Sequence, residues 1–410
     1  MVTHVRGHPV IDAAELSIRE LREIDLLDPN TFVDYDLTSL WRNLRHQSPI
    51  FRHPHGFWVL TRYADVVAAY KDPRFGSDGG NVLSTLMAGG DSAAGAMLAV
   101  TDGPRHRRLR TALVDALRPR TMNALAEPLR ARTGELVRAM TSGQPFDFAT
   151  EIAERLPMGT ICDLMGIPAG DRAELLEWNK QALSSDIAGA TEADAQLARG
   201  EILLYLSDLV QERRERAGTD VVTELVAHRP EDGEPLSDEE IVYNCYSLLI
   251  GGDESSRMSA VCGVLAFCER PEAWRRVRDG EVGVDSTVEE ILRWTTPAMH
   301  VGRRARAEAE VCGHRIAEGD IVTLWNSSAD RDETVFPSPE TFDPARQPNR
   351  HLAFGYGPHF CVGAQLGRLE LRILLEALRE SVTEMAPAGK PRRIYSNFLY
   401  GYSTLPVVFT

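Results

Sequence analysis

The sequence predicts a mainly α fold with small β-sheets, an α+β class dominated by helix. Three observations carry this prediction. Short strand-like runs are confined to the two ends of the chain; the stretch from Arg105 to Arg278 repeats apolar residues at three- and four-residue spacing; and a largely apolar run follows Ser237.

Near the amino terminus, Phe57-Trp-Val-Leu-Thr61 follows the turn residues Pro54 and Gly56 and reads as a strand. Six of the twenty residues from Gly76 to Gly95 are glycines, which marks a long loop. Loops of that length are usually functional lids or disordered linkers, and structure resuming on both sides favours a lid. Beyond it, Leu203, Leu206 and Val210 show the helical period on the stretch from Ala198 to Arg216. Asp320-Ile-Val-Thr-Leu324 restores a β-branched pattern, and a last helix spans about Ala364 to Ser381. With strands at both ends and no internal repeat, the simplest organisation folds the ends together into one domain over 1–410.

Composition narrows the function. A hydrophobic fraction of 43% and a charged fraction of 26% exclude disorder and fibre. The 45 basic and 60 acidic residues leave a net charge of −15, which argues against nucleic acid or anionic lipid as partner. The stretch from Met1 to Asp28 has no apolar leader segment, and no run approaches the ~18 apolar residues of a membrane span, so a cytoplasmic protein is expected. Of the scattered cysteines Cys162, Cys245, Cys262, Cys268, Cys312 and Cys361, the first five are expected to be buried small hydrophobes.

Leu236-Ser237-Asp238-Glu239-Glu240-Ile241 is a strong helix start, with Ser237 and Glu240 as a capping box and Leu236 stapled to Ile241. A helix running from here to Cys268 would be about 45 Å long and central. Halfway along stands Gly251-Gly252-Asp253-Glu254-Ser255-Ser256, where each glycine costs roughly 1 kcal/mol relative to alanine and polar groups replace core. Either the missing side chains let a ligand approach while Glu254 and Ser255 move protons, or the helix kinks and tolerates a polar notch.

Phe354-Gly355-Tyr356-Gly357-Pro358-His359-Phe360-Cys361-Val362-Gly363 places one cysteine in a glycine-rich loop before a helix, where backbone amides favour a thiolate. This F-x-x-G-x-H-x-C-x-G stretch resembles the haem-binding loop of the cytochrome P450 family, whose iron is held by a single cysteine thiolate. Glu290-Ile-Leu-Arg293 resembles that family's ExxR pair, Gly251 to Ser255 its oxygen-groove motif, and Asp102 to Arg110 the segment that brings His and Arg to the haem propionates. The late Ala329-Asp-Arg-Asp332 element extends the likeness over nearly the whole chain.

The resemblance implies a helical P450-like fold around haem b, iron protoporphyrin IX, with dioxygen as co-substrate. Cys361 would be the metal ligand and Phe354 would pack against it. Gly357 and Gly363 would allow close approach of backbone to porphyrin, while His106, Arg110, Arg303 and His359 would neutralise the propionates. Glu290 and Arg293 would be structural. Glu254 and Ser255 would handle the protons that dioxygen activation consumes. Two departures stand out: Ser255 replaces the usual Thr and lacks the methyl that restricts its rotamer, and Ala329-Asp330 replaces Ala-Asn. The extra carboxylate of Asp253 indicates a polar substrate or altered proton traffic, or else points away from the pocket.

The resemblance also implies electrons from a ferredoxin and ferredoxin reductase. Six arginines against Asp115 between Arg105 and Arg120 would attract an acidic partner. Substrate contacts are expected from Leu83, Met87, Leu248, Gly251, His300 and Leu399, which suits a medium-sized, partly apolar secondary metabolite, free or bound to a carrier protein. Hydroxylation leads; ring closure, aryl coupling, desaturation or peroxide use of the same haem stay open. A haem sensor without turnover is disfavoured by Glu254 and Ser255.

Overall fold

A computed structural model of the chain describes residues 10–183, 192–230 and 233–410. The chain packs as two compact units, each assembled from separated stretches: Met1–Ala94, Cys262–Cys361 and Lys390–Ser403 in one, and Gly95–Val261, Val362–Gly389 and Thr404–Thr410 in the other.

The first unit contains a five-stranded sheet ordered Ile50–Arg52, Trp58–Leu60, Ile321–Leu324, Val301–Ala305 and Phe75–Gly76. Trp58 pairs with Val322 in parallel and the other neighbours are antiparallel. Strands from distant parts of the chain therefore share one sheet; of the two read from sequence, Trp58–Leu60 is one residue shorter at each end than its run and Ile321–Leu324 one residue shorter at its start. Phe32, Trp41, Leu83, Met299 and Trp325 pack in one of this unit's cores.

The glycine-rich segment is an ordered piece of this unit. It holds a helix, Leu83–Met87, with Leu83 and Leu86 buried, and the Gly302 amide donates to the Asn81 carbonyl at 2.7 Å. Sequence periodicity missed the helix because it is only five residues long. Cys312 also departs from expectation: it is exposed, at φ +48° in the turn between the paired strands Ala309–Val311 and His314–Ile316, while the other four structural cysteines are buried.

The second unit is mostly helix. A three-stranded sheet of Phe146–Asp147, Pro406–Phe409 and Met385–Pro387 closes its edge. The central helix runs from Asp238 to Glu269 and passes from the second unit into the first after Val261. It starts as its sequence dictates: the Ser237 amide donates to Glu240 Oε2 at 2.9 Å and the Glu240 amide to Ser237 Oγ at 3.1 Å. Leu236 and Ile241 are both buried beside it.

Helix continues unbroken through Gly251-Gly252, and the two glycines serve different needs. A Cβ on Gly252 would lie 2.6 Å from Ile161 Cδ1, so its absence lets the helix Arg155–Met165 pack close. A Cβ on Gly251 would meet nothing within 4 Å, and this residue is exposed in the middle of a helix whose other side is core.

Candidate active site

In the first unit, Cys361 lies on the loop whose Gly357–His359 forms a single 3₁₀ turn, just ahead of the helix Ala364–Ser381. The Cys361 amide donates to the Phe354 carbonyl at 2.9 Å, which closes the loop, and the Phe354 ring packs edge-on to Phe360 at 6.1 Å. Cys361 is exposed, unlike the buried cysteines whose thiols are pushed up to about 11 or 12. Gly357 sits at φ +70°, and a Cβ there would be 3.1 Å from the Tyr70 carbonyl oxygen. Gly363 has φ −83° and ψ 5°, which any residue adopts, so its backbone conformation does not require glycine.

Arg303, on the strand Val301–Ala305, is only 4% exposed and lies over the Tyr70 ring at 5.4 Å, donating to the Gly302 carbonyl. It is an interior cation, not a surface charge. Tyr70 donates its hydroxyl to Asn326 Oδ1 at 3.0 Å, and burial pushes its phenol up to about 12. His359 is half-buried on the 3₁₀ turn.

In the same unit, Glu290 and Arg293 are fully buried and joined by two 2.8 Å hydrogen bonds. Arg293 also donates to the carbonyls of Asp330, Pro339 and Thr341, and Glu290 accepts from Arg346, Asn349 and the Asp343 amide. Every lone pair and proton is used, the condition under which a buried ion pair is tolerated. Asp330, the departure from Asn, accepts from the Leu352 amide at 2.7 Å and from the Thr296 hydroxyl at 2.9 Å. An amide offers one acceptor oxygen; the carboxylate offers two, and it ties the start of the cysteine loop to the Glu290 helix. Burial raises its pKa to about 6.

In the second unit, His106 and Arg110 stand one turn apart on the helix Gly103–Ala116; His106 is buried and Arg110 half-buried. Ser255 donates to the Gly251 carbonyl at 2.7 Å, one turn back on the central helix. Glu254 is buried and paired with Arg257 at 2.9 Å; Arg257 lies 3.8 Å from Glu154, which pairs with Lys180 at 2.7 Å. Side-chain exposure rises from 1% at Arg257 through 13% at Glu154 to 28% at Lys180. Asp253 is buried against Asn179, on the Arg172–Leu183 helix. Sequence reading missed Arg257, Glu154, Lys180 and Asn179; only Arg257, three residues beyond Glu254, had a local signal.

Of the expected substrate contacts, Met87 and Gly251 are exposed, Leu248 and Leu399 are 9% and 7% exposed, and Leu83 and His300 are fully buried. His300 accepts the Leu83 amide at 3.3 Å on Nε2 and packs on Trp325 at 4.6 Å; burial lowers its pKa to about 3, so it is a neutral imidazole. The arginine-rich segment is also less free than its sequence suggests. Arg105 and Arg108 bond Glu240, and Arg118 bonds Glu224. Two acids distant in sequence thus lower its local charge excess by two.

These residues fit a haem. An exposed cysteine before a helix amino terminus suits an iron-ligating thiolate, and the buried Arg303 and His106 suit buried carboxylates. The chain belongs to the cytochrome P450 family and is a haem-dependent monooxygenase. The family model described as Cytochrome P450 matches residues 284–406. Cytochrome P450 NovI of Streptomyces niveus is 42% identical, covering 96% of this chain and 98% of the relative. A methyl-branched lipid omega-hydroxylase of Mycobacterium tuberculosis is 34% identical over 100% of this chain and 99% of its own. The crystal structure of P450 OxyD, involved in the biosynthesis of vancomycin-type antibiotics, matches with a TM-score of 0.84 at 31% identity, covering 94% of this chain and 99% of that one. Among the described residues no helix is long and apolar enough to cross a membrane.

Proposed function

We propose that residues 1–410 work as one catalytic domain holding haem b, and that it hydroxylates a medium-sized, partly apolar secondary metabolite with electrons from a ferredoxin and its reductase in the cytoplasm. The observation that carries this reading is the exposed Cys361, held by its own backbone bond to Phe354 at the head of the Ala364–Ser381 helix. The bound haem supplies the iron at which dioxygen is activated. Cys361 is the thiolate ligand, and His106, Arg110, Arg303 and His359 bond the propionates.

The protein's own residues set the proton supply. Glu254 is the proton-handling group; Arg257 holds its carboxylate in an ion pair, and Glu154 and Lys180 continue that chain of charges toward the more exposed side. Ser255 spends its hydrogen on Gly251, which leaves its oxygen to accept a bond from water or substrate. The space left at Gly251 is open to the substrate, Met87, Leu248 and Leu399 are further proposed contacts, and Leu83 and His300, being fully buried, act on it only indirectly. The lipid hydroxylase relative supports an apolar substrate and hydroxylation, and the OxyD likeness supports antibiotic-type metabolism. Exposed Arg107 and Arg120, with the segment around them, are the proposed attraction for an acidic ferredoxin.

The test is a spectral titration of the ferric protein with candidate metabolites, free and carrier-bound, followed by turnover with ferredoxin and reductase. A saturable shift with a free compound and its hydroxylated product supports the reading. A shift only with a loaded carrier assigns a tethered substrate; coupled or cyclised product in place of alcohol assigns the alternative chemistry. A reduced carbon monoxide spectrum unchanged by Cys361→Ser would overturn the ligand assignment.

A further inference from the structure

The carboxyl of Asp253 has one hydrogen bond and one bare oxygen. Its Oδ2 contacts Asn179 Nδ2 at 2.5 Å, and its Oδ1 is buried with no partner among the described residues. The same is true across the contact: Asn179 Oδ1 is buried with no partner among the described residues. Both residues are almost fully buried, Asp253 at 1% and Asn179 at 0% exposure. Buried polar atoms are rarely left this way, and two on one contacting pair need a common cause.

A proton on Asp253 satisfies both atoms. An ionised carboxylate only accepts, so it can use the amide's N–H but offers the amide oxygen no donor. A neutral acid accepts at one oxygen and donates at the other, which matches a carboxamide on both counts. Turning the amide over does not remove the need, because it places an amide oxygen against Oδ2 and asks for the proton there instead.

Charge balance points the same way. The groups around Asp253 are Glu254 and Arg257 on the central helix, Glu154 and Cys162 from the segment before and along the Arg155–Met165 helix, and Lys180 on the Arg172–Leu183 helix. Glu254 and Glu154 are matched by Arg257 and Lys180, and burial keeps the Cys162 thiol neutral. A charged Asp253 would leave one uncompensated anion in the interior and would compete with Glu254 for Arg257. Burial and the neighbouring Glu254 accordingly raise its pKa well above the usual carboxylate range.

We propose that Asp253 and Asn179 form a neutral acid–amide pair with two hydrogen bonds, which clamps the Arg172–Leu183 helix to the central helix and makes Asp253 a positioning residue for Glu254. The clamp leaves Arg257 to Glu254 and holds the neighbouring carboxylate in one orientation. Its effect on turnover rests on the reading of Glu254 given above, whereas the pair itself does not.

Infrared difference spectroscopy of the haem-loaded protein, with isotope-labelled aspartate, tests the pair. A protonated-carboxyl band at pH 7 that disappears in Asp253→Asn is expected; no band assignable to Asp253 overturns the pair. Coupling, the product formed per NADPH consumed, tests the positioning role. Asp253→Asn rebuilds a two-bond amide pair and keeps coupling and its pH profile within about twofold, whereas Asn179→Leu and Asp253→Leu each lower coupling by about tenfold. Asp253→Asn as impaired as the leucine variants would overturn positioning and make Asp253 a proton carrier. Glu254→Gln separates the two ideas: unchanged coupling there sinks the role of Glu254 and the positioning role with it, and leaves the infrared result to decide the pair.

Discussion

The hydroxyl of Ser255 is bonded to the carbonyl of Gly251, 2.7 Å away and one helical turn back. That bond orients the side chain in place of the methyl group a threonine would bring. Serine lacks the β-branch, so a competing rotamer costs it less. Ser255→Thr is therefore expected to raise product per NADPH, and Ser255→Ala to lower it by about tenfold or more, with peroxide making up the difference. Measurement of NADPH, peroxide and product in one assay decides it; equal coupling in all three proteins removes Ser255 from the proton pathway.

The two loop glycines should fail in different ways. Gly357→Ala forces a left-handed backbone and a 3.1 Å contact with the Tyr70 carbonyl oxygen, and is expected to cost about 2 kcal/mol in folding stability. Gly363→Ala imposes no backbone strain at φ −83°, so folding stability should hold while haem affinity falls. Urea unfolding and haem titration of both variants separate the effects. Unimpaired haem binding by Gly363→Ala would show that porphyrin does not need the space at that residue.

Removing one partner of the Glu290–Arg293 pair leaves a charge in a fully buried network. Arg293→Leu and Glu290→Leu are each expected to lose about 3–5 kcal/mol. Because Arg293 also holds the Asp330 carbonyl and Asp330 holds the Leu352 amide, haem incorporation should fall with stability. Folded yield and haem content per chain check this; a stable, haem-replete Arg293→Leu would contradict it.

Glu370 supplies a pH dependence. It is buried on the Ala364–Ser381 helix and neither carboxyl oxygen makes a hydrogen bond among the described residues. The Ser256 and Thr160 hydroxyls come near and lower its pKa a little, but Thr160 spends its hydrogen on the Leu156 carbonyl, so burial dominates and raises the pKa from 4.5 to about 7. Between those values the folded protein keeps a proton that the unfolded chain has lost. Stability from this group is thus complete below pH 4.5, falls as pH rises, and is gone above about 7. Glu370→Gln should unfold with a flatter pH profile, its advantage over the parent growing by roughly 3 kcal/mol across that window. Parallel profiles for the two proteins would show that Glu370 does not titrate there.

Much of the fold and of the cysteine loop was legible along the chain. The helical period, the capping box at Ser237 and Glu240, the glycines around Cys361 and the three-residue spacing of Glu290 and Arg293 are local patterns. Each is enforced by backbone geometry within a few residues, and the structure keeps each of them.

What sequence alone determined is the class of helix and strand, the thiol poised before a helix, and the broken rule at Gly251-Gly252. Tertiary structure decided which charges are used and by whom. Glu240 and Glu224 reach the arginine-rich segment from more than a hundred residues away, Asn179 covers Asp253, and Arg257 divides between Glu254 and Glu154. Only packing could decide these, because a side chain's charge and accessibility depend on the groups that displace its water, and those groups are distant in the chain.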